Sequence, residues 1–221
     1  FIPEFKPIVA MMQFNMYHSF TVDEHTIQTI GYLAAIERGE LVEELPVASA
    51  ILGSGLNRKV IYISLLLHDI GKGQIEDHSV LGAKIARDVA PRLGLTPRES
   101  KNVEWLVRHH LLMSDMAQKR DIADPRTVRD FAKAVQSVKR LNLLTVLTVC
   151  DISGVGPGVW NNWKAVLIRA LYRQTKKALE TGLEDLNRAN RGSEAKKNLR
   201  KVLKDWPKNL IIRETRRHYP P

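Results

Sequence analysis

Apolar residues recur along this chain at spacings of three and four, the mark of amphipathic helices. Thr21-Val22-Asp23-Glu24 has the form of a capping box, and Val22, His25, Thr29, Leu33 and Ile36 follow it on one stripe. Thr96-Pro97-Arg98-Glu99 is a second box with proline at the first helical position, and its helix directs Val103, Leu106, Val107 and His110 inward. Asp124-Pro125 opens a third helix with Val128, Phe131, Ala132 and Val135 on one face. Residues 138–152 predict a largely buried segment, 159–180 a longer helix, and 193–206 a basic amphipathic one ahead of Pro207. "VIYISLLL" (60–67) and "LLTVLTV" (143–149) are β-branched enough to suit buried strands. We read both as helices, because no hairpin turn or alternation of strand and helix signals surrounds them. Gly53-Ser54-Gly55, Gly71-Lys72-Gly73 and Gly154 to Gly158 punctuate the pattern as loops. The expectation is an all-α bundle over residues 1–182, with a polar, basic extension over 183–221.

Composition narrows the class. The 221 residues are 44% hydrophobic and 26% charged, an ordinary globular balance. No window approaches the roughly 20 apolar residues needed to cross a bilayer, and no signal peptide opens the chain. It begins "FIPEF" without a methionine, as a processed protein or a piece of a longer one would. A single cysteine excludes an internal disulfide and suits a reducing cytoplasm. The net charge is +10, and residues 183–221 hold eleven Lys/Arg against five Asp/Glu, a surplus of six. That surplus suits a solvated terminus or an acidic partner. Little aromatic interleaving accompanies it, only Trp206 and Tyr219, so a nucleic-acid ligand is not expected.

The candidate chemistry lies where apolar segments stop. His25 sits on the first capped helix, and His68-Asp69 terminates "VIYISLLL". His78 follows Asp77, which suits a helix cap; His109-His110 ends the second capped helix; Asp151 ends "LLTVLTVC". Ionisable groups held near a core need a partner or a metal. Imidazole and carboxylate are suitable ligands for Mn²⁺, Fe, Zn²⁺ or Mg²⁺. Taken singly, each residue has an ordinary structural explanation; the set points to a divalent cation. Cys150, Trp160 and Trp163 are expected in the core, and "GVGPGVW" (154–160) lacks the spacing of a phosphate-binding P-loop.

The order His25, His68-Asp69, Asp151 resembles the HD superfamily of metal-dependent phosphohydrolases. The stretches "MMQFNMYHSFTVDEHT", "LLLHDIGKG", "DHSVLGA", "VRHHLLMSDMAQKRD" and "VCDISGVGPGVWNNWK" resemble one branch of it. That branch is the HD domain of bacterial bifunctional uridylyltransferase/uridylyl-removing enzymes, which act on the PII nitrogen-signalling protein. The resemblance runs from about Phe1 to Thr181. It implies hydrolysis of UMP from a uridylylated tyrosine of PII, with His25, His68, Asp69 and Asp151 holding a first ion. It also implies that His78, His109 and His110 hold a second, with Asp69 bridging. Asp69 and Lys72 would serve catalysis, Lys72 as a charge for the phosphate. No transferase-type paired aspartates and no ACT-like pattern are present, so the chain is expected to be an isolated HD module. Alternatives are an HD phosphohydrolase of free nucleotides or cyclic dinucleotides, and a non-catalytic module whose basic region docks a partner.

Overall fold

A computed structural model describes residues 2–12, 19–182 and 212. The predicted helix at 193–206 and, apart from residue 212, the basic extension lie outside these residues. After a short 3₁₀ helix (Pro3–Ile8), nine α-helices follow among the described residues: α1 (Val22–Glu37), α2 (Pro46–Gly53), α3 (Arg58–Leu67), α4 (His78–Arg92), α5 (Pro97–Arg108), α6 (Leu112–Lys119), α7 (Pro125–Val135), α8 (Val138–Gly154) and α9 (Asn162–Thr181). No strand occurs among them. The fold is all-α, and both β-branched segments are helical, in α3 and α8.

Helix α8 explains the architecture. It is apolar on every side, with Leu141, Leu143, Leu144, Val146, Leu147 and Cys150 fully buried. A helix greasy all round can only be central, and α8 touches α1, α2, α3, α5, α6, α7 and α9. Burial of its Val and Thr residues outweighs their modest helix propensity. Around it, α4 packs on α5, α1 on α3, and α7 on α9. Val22, His25, Thr29, Leu33 and Ile36 form the buried stripe of α1.

Local signals start most helices. The capping box at Thr96 and Glu99 forms with both of its hydrogen bonds. Asn57, Asp77, Asp124, Ser137 and Asn161 each accept a backbone N–H at a helix start. The box expected at Thr21 does not form. Its hydroxyl bonds Asp23, and Glu24 accepts instead from Gln28 at 2.7 Å. Two short helices, α2 and α6, were not expected. Gly154 closes α8 rather than opening a loop. Trp163 is 57% exposed, against expectation. Ala165, Ile168, Leu171 and Tyr172 supply the inward stripe of α9, and Trp163 stands two residues, or about 200°, from Ala165.

Two glycines set the spacing around the interior. A Cβ on Gly154 would stand 2.6 Å from Thr29 Cγ2 and 3.0 Å from the Thr29 nitrogen, so α8 and α1 meet backbone to backbone there. A Cβ on Gly71 would strike the His78 carbonyl oxygen and come 2.7 Å from the Gly82 nitrogen, so the α3–α4 connection lies directly on α4. These approaches bring His25 to Asp151, and Asp69 to His78.

Candidate metal centre

The candidate residues arrive from five helices. His25 is in the first turn of α1, His68 caps the C-terminus of α3 with Asp69 next, and His78 is the first residue of α4. His109 caps the C-terminus of α5 and His110 follows. Asp151 lies one turn before the end of α8. Asp77 is an N-cap, accepting from the Ser79 and Val80 N–H groups at 3.0 Å each.

Backbone carbonyls orient three imidazoles. Nδ1–H of His25 donates to the Gly154 carbonyl at 3.0 Å, that of His68 to Leu65 at 2.7 Å, and that of His110 to Val107 at 2.7 Å. A carbonyl can only accept, so Nδ1 carries a proton and Nε2 is the nitrogen that points inward. This is the arrangement that prepares imidazole for a metal. The inward nitrogens then converge. His25 Nε2 and His68 Nε2 face each other at 3.2 Å, and both face Asp151 Oδ1, at 3.1 and 3.6 Å.

Asp69 divides its two oxygens between two groups. Oδ2 lies 3.3 Å from His68 Nε2 and 3.7 Å from His25 Nε2. Oδ1 lies 3.7 Å from His110 Nε2 and 4.0 Å from His78 Nε2. His25, His68 and Asp69 form one triad of ligand-type atoms within 4.8 Å, and Asp69, His78 and His110 a second.

The donor set fits a cation. Two imidazole lone pairs at 3.2 Å cannot bond each other, so a proton or a metal ion has to lie between or beside them. The electrostatics agree. Burial opposes charge on His68, but Asp69 and Asp151 outweigh it and lift its pKa to about 10, so a metal at Nε2 has to displace a proton there. Burial likewise opposes ionisation of Asp69 and Asp151. For Asp69 it is overridden by His68 and Lys72, for Asp151 by His25 and His68, and both carboxyls fall below the usual range. Burial lowers the pKa of His110, which favours a neutral, ligating ring. His25, His68, Asp69 and His110 are sealed from solvent. Access is through the side chains of His78 (29% exposed), Lys72 (21%) and Asp151 (15%).

Six of the seven metal-type residues singled out from sequence therefore meet, along with Lys72, whose Nζ lies 2.6 Å from Asp69 Oδ2. His109 belongs to neither triad. Its ring stacks on Trp105 (4.7 Å between centroids, 20° between planes), and its Nδ1–H donates to the Trp105 carbonyl. Arg140 lies over the same indole at 4.9 Å. Adjacent residues at a helix end point in different directions, and His110 is the inward one. Sequence reasoning missed the carbonyls of Leu65, Val107 and Gly154, which no side-chain signal encodes. Cys150 is buried and its thiol pKa is pushed up by burial, so it is inert packing.

The family profile of the HD domain matches residues 22–151, from the first residue of α1 to Asp151. The chain belongs to the HD domain family. This HD chain is also 73% identical over all 221 residues to a bifunctional uridylyltransferase/uridylyl-removing enzyme of Ruegeria pomeroyi. It is 70% identical over the same length to the enzyme of that name from Cereibacter sphaeroides. The chain spans 24% of the length of each relative. No helix among the described residues is long and apolar enough to cross a membrane.

Proposed function

We propose that this HD chain is a divalent-cation-dependent phosphodiesterase that removes UMP from a uridylylated tyrosine of the PII signalling protein. The observation carrying this reading is the pair of histidine triads sharing Asp69, in a chain so similar to enzymes named for uridylyl removal. His25, His68, Asp69 and Asp151 are assigned to a first ion, and Asp69, His78 and His110 to a second. His109 is left out of the ligand set because it stacks on Trp105. Mn²⁺ is the first choice for this mixture of imidazole and carboxylate, with Mg²⁺, Fe and Zn²⁺ as alternatives. A divalent ion acidifies water and neutralises phosphoryl oxygens.

The chain's own groups supply the rest. The carbonyls of Gly154, Leu65 and Val107 hold three imidazoles in the ligating tautomer. Asp69 joins the two groups through its two oxygens. Lys72 stands at the accessible edge as a point charge for the phosphate. The tyrosyl leaving group, with a pKa of about 10, departs with less proton assistance than an alkoxide. We place the reaction in the cytoplasm, which suits a chain with a single buried cysteine.

The test is UMP release from uridylylated PII by the purified chain with Mn²⁺. Activity is expected with Mn²⁺, and is expected to vanish with EDTA and in Asp69→Ala. Full activity in Asp69→Ala overturns the metal mechanism. Free nucleotides and cyclic dinucleotides belong in the same assay, because an identical metal centre would serve them. Turnover of those alone replaces the PII assignment.

A further inference from the structure

Asp69 Oδ2 is the oxygen that faces both His25 and His68, so a cation in the first triad must use it. The same oxygen lies 2.6 Å from the Lys72 ammonium, a closer contact than either imidazole makes with it. Oδ1, by contrast, faces His110 and His78, at 3.7 and 4.0 Å. We propose that Lys72 is a tethered competitor for the first cation: its ammonium must leave Asp69 Oδ2 before the ion can bind there, and the lysine thereby sets the affinity of the centre. This inference rests on the metal-centre reading above.

Three features carry it. The tether is short. Lys72 is three residues from Asp69, and its backbone N–H donates to the Asp69 carbonyl at 3.0 Å. The flanking Gly71 is pressed against the backbone of α4, where no Cβ would fit. The loop therefore holds the lysine beside the carboxylate, at a high effective concentration for the contact. The setting is dry. His25, His68 and Asp69 are almost wholly buried, so an ammonium and a divalent ion on one carboxylate oxygen would repel with little screening. An exit exists. The Lys72 side chain is 21% exposed, so its ammonium can turn outward to the mouth of the site. Coupling of this kind is reciprocal: the factor by which the ion weakens the Lys72–Asp69 pair is the factor by which the pair weakens the ion.

The experiment is calorimetric titration of MnCl₂ into the full chain, wild type against Lys72→Met and Lys72→Arg, with thermal melts with and without Mn²⁺. Lys72→Met, neutral and of similar length, is expected to bind the first ion at least tenfold more tightly. Lys72→Arg, which keeps the charge, is expected to stay near wild type. Without metal, Lys72→Met should melt below wild type, because the buried Asp69 carboxylate loses its nearest cation, and saturating Mn²⁺ should close the gap. Equal or weaker Mn²⁺ binding by Lys72→Met overturns the inference while leaving the metal centre intact. Tightening of the same size in Lys72→Arg overturns it as well, since charge would not be the cause. A titration silent in all three proteins removes the metal-centre reading itself, and this inference with it.

Discussion

The addition of one methyl group at Gly154 should damage both the fold and the metal centre. In Gly154→Ala the new Cβ would stand 2.6 Å from Thr29 Cγ2, 3.0 Å from the Thr29 nitrogen and 3.3 Å from its Cα. Thr29 cannot turn aside freely, because its hydroxyl donates to the Thr26 carbonyl at 2.8 Å, and two of the three contacts are backbone. Restoring an ordinary 3.4 Å contact moves α1 and α8 apart by about 0.8 Å locally. Overpacking of this kind costs about 1–3 kcal/mol. At roughly 2–4 °C per kcal/mol for a chain of this size, the melting temperature should fall by about 2–12 °C. The same movement pulls the Gly154 carbonyl from His25 Nδ1, now at 3.0 Å. Loss of such an orienting bond typically weakens metal binding by about 10–100-fold. Circular-dichroism melts and Mn²⁺ calorimetry measure both effects. Gly31→Ala is the matched control, since Gly31 lies in α1 with nothing within 4 Å of its would-be Cβ. It should raise stability by about 0.5–1 kcal/mol. A Gly154→Ala protein that melts as high as Gly31→Ala and binds Mn²⁺ like wild type would refute the argument that this close approach builds the site.

The two adjacent histidines should separate cleanly. His110→Ala is expected to lower the bound-metal content measured by elemental analysis, while His109→Ala keeps wild-type content and loses only its stacking on Trp105; equal metal loss from both would contradict the geometry. The capping box gives a prediction in pH. Asn57 and then Thr96 hold the Glu99 carboxyl at about 2 in the folded chain, below the unfolded value of about 4.3. The folded pKa is the lower one, so this contribution is complete above pH ~4.3 and is lost as pH falls toward 2. Glu99→Gln should therefore be less stable than wild type at pH 6 and should lose less stability over that acid range. Parallel acid limbs in melting temperature against pH would contradict this.

Much of the site was legible because its residues interrupt hydrophobic patterns. His68 and Asp69 follow eight mostly apolar positions, and a buried ionisable pair needs a compensating charge. The capping signals at Thr96, Asp77 and Asp124 were legible for a similar reason, since each cap is satisfied within three residues. Thr21 failed where a second local partner, Asp23, took the hydroxyl. Trp163 failed because its size suggested burial, while the phase of α9 is set by Ala165 and Ile168.

By itself the sequence determined the helical class, the starts of α1, α4, α5, α7 and α8 and the inventory of ligand-type residues, because these follow from spacing and from hydrogen bonds a few residues long, whereas α9 starts three residues later than its pattern suggested. Tertiary structure alone decided which of His109 and His110 faces Asp69, that Asp69 divides its oxygens between two groups, and that Lys72 lies against one of them. Those outcomes depend on contacts between elements as much as 129 positions apart, such as His25 with Gly154. The directions of side chains and carbonyls there are fixed only once the helices pack around α8.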